Sequence, residues 1–181
     1  LRDVNVGVMR FNGNEGGSVI APLEDIETSR DSVIAIVDAL SATGSTPLSE
    51  TLYEAAQFFR GADVDYGNGG SIRSVAGSRI GNDLSSPLYR SPITEACSKN
   101  FIILLTDGEP ANDASANSKI VALPGFGALV GPDCDGSGEG RCLDDVAAWL
   151  LGQDLDDTLP GQQNVVTHTI GFEVDFPLLV S

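Results

Sequence analysis

Asp107 stands where an apolar run, Phe101-Ile-Ile-Leu-Leu105, gives way to Thr106-Asp107-Gly108-Glu109. Five apolar residues without alternation read as a strand covered on both faces, and open α/β sheets hold ligands at the carboxyl ends of such strands. A hydroxyl beside a carboxylate there suits a hard cation such as Mg²⁺ or Ca²⁺. Asp before Gly is equally an ordinary turn, and the local sequence does not separate the two readings. Thr46, just ahead of Pro47, offers another hydroxyl, but it is also a good N-cap for a helix opening at Pro47. Asp133, Asp135 and Ser137, with Asp144 at the twelfth position, partly match the spacing of an EF-hand loop, whose last ligand is normally a bidentate Glu. A plain acidic, Gly-rich turn is the alternative. Activated nucleophiles are missing: the single histidine, His168, lies in an alternating segment and is expected on a sheet face. Tyr66, Tyr89 and Trp149 are scattered and form no stacking platform.

The chain has 181 residues, enough for one domain with a real core. Its 26 acidic and 10 basic residues leave a formal charge of −16, which disfavours nucleic acid and anionic membranes as partners. No run approaches the roughly 20 apolar residues of a membrane span. The chain opens at Leu1 directly into a strand-like segment, as expected of a piece of a longer protein. Cys134 and Cys142 bracket a flexible loop, Asp135-Gly-Ser-Gly-Glu-Gly-Arg141, that can close into a disulfide. Zinc is the alternative, but the pair spacing is wrong and only His168 remains to help. A disulfide implies an oxidising compartment. Cys97 is expected to have no partner.

These residues need elements to position them. Val4 to Phe11 alternates as a strand, and Ser18 to Pro22 returns as an edge strand. Ser29 to Leu40 carries Val33, Ile36, Val37 and Leu40 at helical spacing, with Thr28 or Ser29 as cap. A second helix runs from Pro47 to about Arg60, burying Leu48, Leu52, Ala55, Ala56 and Phe59. Residues 61–100 and about 111–141 lack clean periodicity and read as insertions. Leu143, Val146, Ala147, Leu150 and Leu151 mark a third helix, and Asn164 to Gly171 the last strand. Strands alternating with helices give an α/β layered fold with a mostly parallel sheet flanked by helices.

The strand Val4–Phe11, the loop Gly44-Ser-Thr-Pro-Leu48, Leu104-Leu-Thr-Asp-Gly108 and Thr167-His-Thr-Ile-Gly-Phe172 together resemble the von Willebrand factor A domain. The resemblance spans residues 1–181 as a single, partial domain. The insertions, with Arg79 to Arg90 and Gly131 to Cys142, resemble those of the amino-terminal A domain of PilY-type proteins, bacterial factors of type IV pilus biogenesis and tip adhesion. That family implies a metal-ion-dependent adhesion site on three loops, of which Thr46 matches the second and Asp107 the third. The first loop, D-x-S-x-S, does not stand ahead of Val4. Asp83-Leu-Ser-Ser, Asp113-Ala-Ser-Ala-Asn and Asp135-Gly-Ser-Gly-Glu echo it, but none follows a first strand.

The resemblance thus implies a non-enzymatic binding module, pilus-associated at the periplasm or cell surface. It would engage a protein ligand or surface receptor through a Mg²⁺- or Ca²⁺-bridged carboxylate. It also implies a vacant slot, one strand wide, between the Val4 and Phe101 strands. The rival is a secreted metal-dependent hydrolase using Asp107 with Glu109.

Overall fold

In a computed structural model the structure describes residues 3–69, 73–81 and 83–172; the parts of the first insertion at 70–72 and 82 lie outside them. The architecture is mixed α/β. Strands β1 (Asn5–Phe11) and β2 (Gly17–Asp25) form an antiparallel hairpin, followed by helices α1 (Ile26–Asp38) and α2 (Leu48–Arg60). The first insertion carries a two-residue hairpin, β3 (Arg79–Ile80) with β4 (Leu88–Tyr89). Strand β5 (Asn100–Thr106) leads into short helices α3 (Asn117–Val121) and α4 (Phe126–Leu129), then α5 (Leu143–Gly152) and β6 (Val165–Gly171). β5 and β6 pair in parallel, Ile103 opposite His168. Where one mostly parallel sheet was expected, the described strands form three two-stranded sheets, only one of them parallel.

α2 is the centre of the core. Leu48, Leu52, Ala55, Ala56 and Phe59 are buried as expected, but so is every other residue from Leu48 to Phe59. It stops at Gly61, whose φ of 64° is the left-handed conformation that closes helices without a Cβ penalty. α5 packs against α2 through Leu143, Val146 and Leu150; Trp149 is wholly buried, its indole N–H donating to the Pro124 carbonyl at 2.9 Å. Leu151, expected on the same face, is exposed.

α1 departs further from expectation. It begins three residues earlier, capped by Asp25, whose carboxylate accepts the Glu27 N–H at 2.8 Å. Thr28 and Ser29, the expected caps, sit inside the first turn and donate back to the Asp25 carbonyl. Ile26 and Ser29 are buried, whereas Val37 and Leu40 face outward.

The expected double-sided burial of β5 is also corrected. Leu104 and Thr106 are buried, but Phe101, Ile103 and Leu105 are 53–60% exposed. On the same face β6 exposes Ile170 and His168, with Phe172 following the strand; His168 stacks on Phe101 with ring centroids 6.0 Å apart. β1 and β5 do not pair. Between them lies a cavity of about 1040 Å³, walled by Gly7–Phe11, residues 101–105, the α2 side chains Leu52, Ala55 and Phe59, and Val37 and Leu40.

Cys134 and Cys142 form a disulfide with a Cα separation of 5.2 Å, and Cys97 is an exposed free thiol. Closing so short a loop stabilises the fold by about 2–3 kcal/mol on chain-entropy grounds.

Two buried glutamates, four apart on α2, tie the loops to this core. Glu50 accepts the Gly16 N–H of the β1–β2 turn and both the N–H and hydroxyl of Ser115. Glu54 accepts the N–H groups of Asp65, Tyr66 and Gly67 and the Tyr89 hydroxyl at 2.6 Å. Burial pushes the Glu54 carboxyl up to about 7, against the pull of its donors; the nearby Asp65 charge adds to the rise.

Replacing Glu54 by Ala strands four donors, and the expected loss is on the order of 3 kcal/mol in urea unfolding. A folded-state value raised above the ordinary 4.5 means that Glu54 adds stability below pH 4.5, an advantage lost as pH rises through 7. Glu54→Gln should flatten that decline; an unchanged profile of urea midpoint against pH would assign the titration to another group. On the bare sheet face, Phe101→Ser with Ile103→Ser should lower concentration-dependent sedimentation of the chain and shift its stability by less than about 1 kcal/mol, because both side chains are more than half exposed and Phe101 gives up only its stacking on His168.

Candidate functional site

Three loops meet at one end of the cavity between β1 and β5. The β1–β2 turn brings Gly13, whose carbonyl accepts the Ser45 N–H at 3.0 Å. Gly44 makes this approach possible: its φ is 107°, and a Cβ there would lie 2.6 Å from the Gly13 carbonyl oxygen. Thr46 follows and pairs through its backbone with Ala111, whose N–H donates to the Thr46 carbonyl at 3.1 Å. Ala111 belongs to the loop that leaves β5.

That loop begins with a side-chain-braced turn. Thr106 Oγ donates to the Gly108 carbonyl at 2.8 Å and accepts the Gly108 N–H at 3.2 Å. The buried Thr106 therefore closes the turn while Asp107 projects outward, exposed at the mouth of the cavity. The turn reading and the ligand reading of Thr106-Asp107-Gly108 are thus compatible, because the turn is closed by the neighbouring hydroxyl. Thr46 lines the same cavity, and its Oγ lies 3.6 Å from where a Gly108 Cβ would be.

The capping alternative for Thr46 is not realised. The N-cap of α2 is Pro47, with no side-chain capping bond from it. The first-turn N–H groups of Ser49 and Glu50 go instead to the carboxylate of Asp113, at 2.9 and 3.0 Å. Thr46 is therefore half-buried at a cavity mouth with its hydroxyl not engaged in holding the helix. A hydroxyl and a carboxylate on adjoining loops are hard oxygen donors and fit Mg²⁺ or Ca²⁺, although they supply only part of the oxygen shell such ions require. Glu109 is exposed on the same loop as Asp107.

The acidic loop arranges itself differently from an EF-hand. Asp133 pairs with Arg141 at 2.6 Å and accepts the Cys134 N–H, and Ser137 is exposed. Asp135 and Asp144 come together with Asp145, their oxygens within 4.8 Å of one another. Asp145 is buried, and burial followed by the charges of Asp144 and Asp135 pushes its carboxyl up to about 6. The disulfide closes this loop, and the carboxylate of Asp133 is taken up by Arg141 and the Cys134 N–H.

Asp113, Ser115 and Glu50 are the residues that sequence reasoning did not place. Asp113-Ala-Ser-Ala-Asn drew attention only as an echo of the first adhesion loop, whereas here it grips the first turn of α2. A readable signal existed: Glu50 and Glu54, four apart, fall among Leu48, Leu52, Ala55 and Ala56 on the face expected to be buried, with no basic residue within four positions of either. Among the described residues no helix is long and apolar enough to cross a membrane. No family model, curated protein or solved structure matches this chain.

Proposed function

We propose that the chain is a von Willebrand factor A-type binding domain of a PilY-type, pilus-associated protein, in which Thr46 and Asp107 contribute oxygens to a Mg²⁺ or Ca²⁺ ion. The observation that carries this reading is the position of the two residues. Both stand at the mouth of an unfilled slot between β1 and β5, and the hydroxyl of Thr46 is released from capping by Asp113.

In the A-domain family a first strand ending in D-x-S-x-S runs between the strands that correspond to β1 and β5. The edges of β1 and β5 that have no partner among the described residues, and the largely apolar side chains between them, suit such a strand, buried on both faces. Its loop would emerge beside Thr46 and Asp107 and supply the oxygens these two lack. A bound ion would let a carboxylate of a protein ligand complete the shell, which is recognition without covalent chemistry. The disulfide suits an extracytoplasmic site at the periplasm or cell surface.

Calorimetry with Mg²⁺ and Ca²⁺ tests the reading. The chain itself should bind weakly, roughly in the millimolar range, because hard cations bind tightly only when several protein oxygens replace water. A longer form carrying a D-x-S-x-S strand should bind far more tightly, and Asp107→Ala should abolish binding in both while sparing the fold. Equal affinity with and without Asp107 would sink the proposal and turn attention to Asp135, Asp144 and Asp145. Turnover of phosphate or glycosidic substrates, lost in Asp107→Ala, would favour hydrolysis instead.

A further inference from the structure

The loop after Asp107 and the helix after Thr46 are joined by a capping box made from two distant parts of the chain. In an ordinary capping box one residue accepts an N–H from the helix's first turn, and a first-turn Glu returns the bond to the capping residue. Here Asp113 accepts the N–H groups of Ser49 and Glu50, and Glu50 accepts the N–H and Oγ of Ser115, both at 2.8 Å. The Ser49 hydroxyl closes the set by donating to the Asp113 carbonyl at 3.3 Å. Asp113 and Glu50 are both fully buried, so neither has water as an alternative partner.

The same two segments stay joined on the side nearer the cavity. Asn112 Nδ2 donates to Ser45 Oγ at 2.6 Å, and the Ala111 N–H donates to the Thr46 carbonyl. Residues 111–115 therefore run along residues 45–50, bonding at nearly every step. Only Glu109 and Pro110 separate Gly108 from the first of these contacts, at Ala111, so the Asp107 turn is registered against Thr46 through them.

We propose that Asp113 is a positioning residue: by capping α2 from the Asp107 loop it sets the separation of Thr46 and Asp107, so that their two oxygen donors are arrayed before any ion arrives. Only the link to a cation depends on the function proposed above. A preset pair avoids the ordering cost that two mobile loops would meet on binding. Glu139, whose carboxylate accepts the Asp113 N–H, holds Asp113 from the opposite side.

Amide exchange and Mn²⁺ broadening, both followed by NMR on the chain as it stands, test this. In Asp113→Ala the Ala111 amide should exchange at least about tenfold faster relative to core amides of Ile120 and Val146, the effect of losing one charge-assisted hydrogen bond. Asp113→Asn keeps one of the two acceptor oxygens and should restore part of the protection. In the wild type and Asp113→Asn, Mn²⁺ should broaden Thr46 and Gly108 together; in Asp113→Ala that joint response should be lost. Acceleration of Ala111 only in step with Ile120 and Val146 would make Asp113 a plain stability cap and overturn the proposal. Should Asp113→Ala fail to fold, Ser115→Ala, which removes the hydroxyl bond to Glu50 and leaves the backbone one, must show a selective loss at Ala111 in the same direction. No Mn²⁺ response at Thr46 or Gly108 in the wild type would defeat the cation reading alone, and Ala111 exchange would still decide the clamp.

Discussion

Buried carboxylates answered by neutral donors hold this fold together. Glu50, Glu54 and Asp113 are fully buried, and their carboxylates accept from backbone N–H groups and hydroxyls. A buried anion without a counter-ion is costly unless most of its lone pairs are occupied. The loops are therefore constrained as strictly as the core: the β1–β2 turn, the segment 65–67 and the segment 113–115 must each deliver their N–H groups to a fixed point on α2. Irregular stretches that lack periodicity are held by this means, and Thr46 and Asp107 inherit their placement from it.

The β5–β6 sheet is built on the opposite principle. Its inner face, Leu104, Thr106 and Val165, closes against the helical core, while Phe101, Ile103, Leu105, Ile170 and Phe172 stand in the open. Among the described residues β1 and β5 each have one edge without a strand partner, with the cavity between them, and the exposed Val37 of α1 and Leu40 just beyond it line the same space. Unpaired N–H and C=O groups beside apolar side chains favour a further strand, since backbone bonds and apolar burial would be gained together. Such a strand would lie apolar on both faces and end beside Thr46 and Asp107. Slot and candidate ligands are thus two ends of one feature.

What was legible in the sequence is what depends on local pattern. α2 was readable from Pro47 and its apolar spacing, and its end is fixed by Gly61, whose φ of 64° only a residue without a Cβ adopts comfortably. The disulfide was readable because seven mostly small residues separate two cysteines. Asp107 and Thr46 were readable as a pair only through their order along the chain. β5 misled because an unbroken apolar run reports what a strand can bury, whereas the number of covered faces depends on neighbours far away in sequence. α1 misled because Thr28 and Ser29 are as good cap formers as Asp25, and bonds back to the Asp25 carbonyl decided between them. The trans cap was the least legible feature, since Asp113 and Ser49 are 64 positions apart and nothing in either segment names the other.

A formal charge of −16 bears on the site as well as on solubility. With Asp107 and Glu109 exposed on one loop, a lone anionic ligand approaching the cavity mouth meets repulsion at close range. A divalent cation reverses that sign locally: it is drawn by the same field, and once held it presents positive charge to the incoming group. Under the proposed function an acidic ligand would bind only with the ion present, so affinity and metal dependence would be two expressions of one electrostatic fact. Thr46 suits this arrangement because a hydroxyl donates an oxygen without adding negative charge. A second carboxylate in its place would strengthen the hold on the ion while neutralising the charge that the ligand must feel.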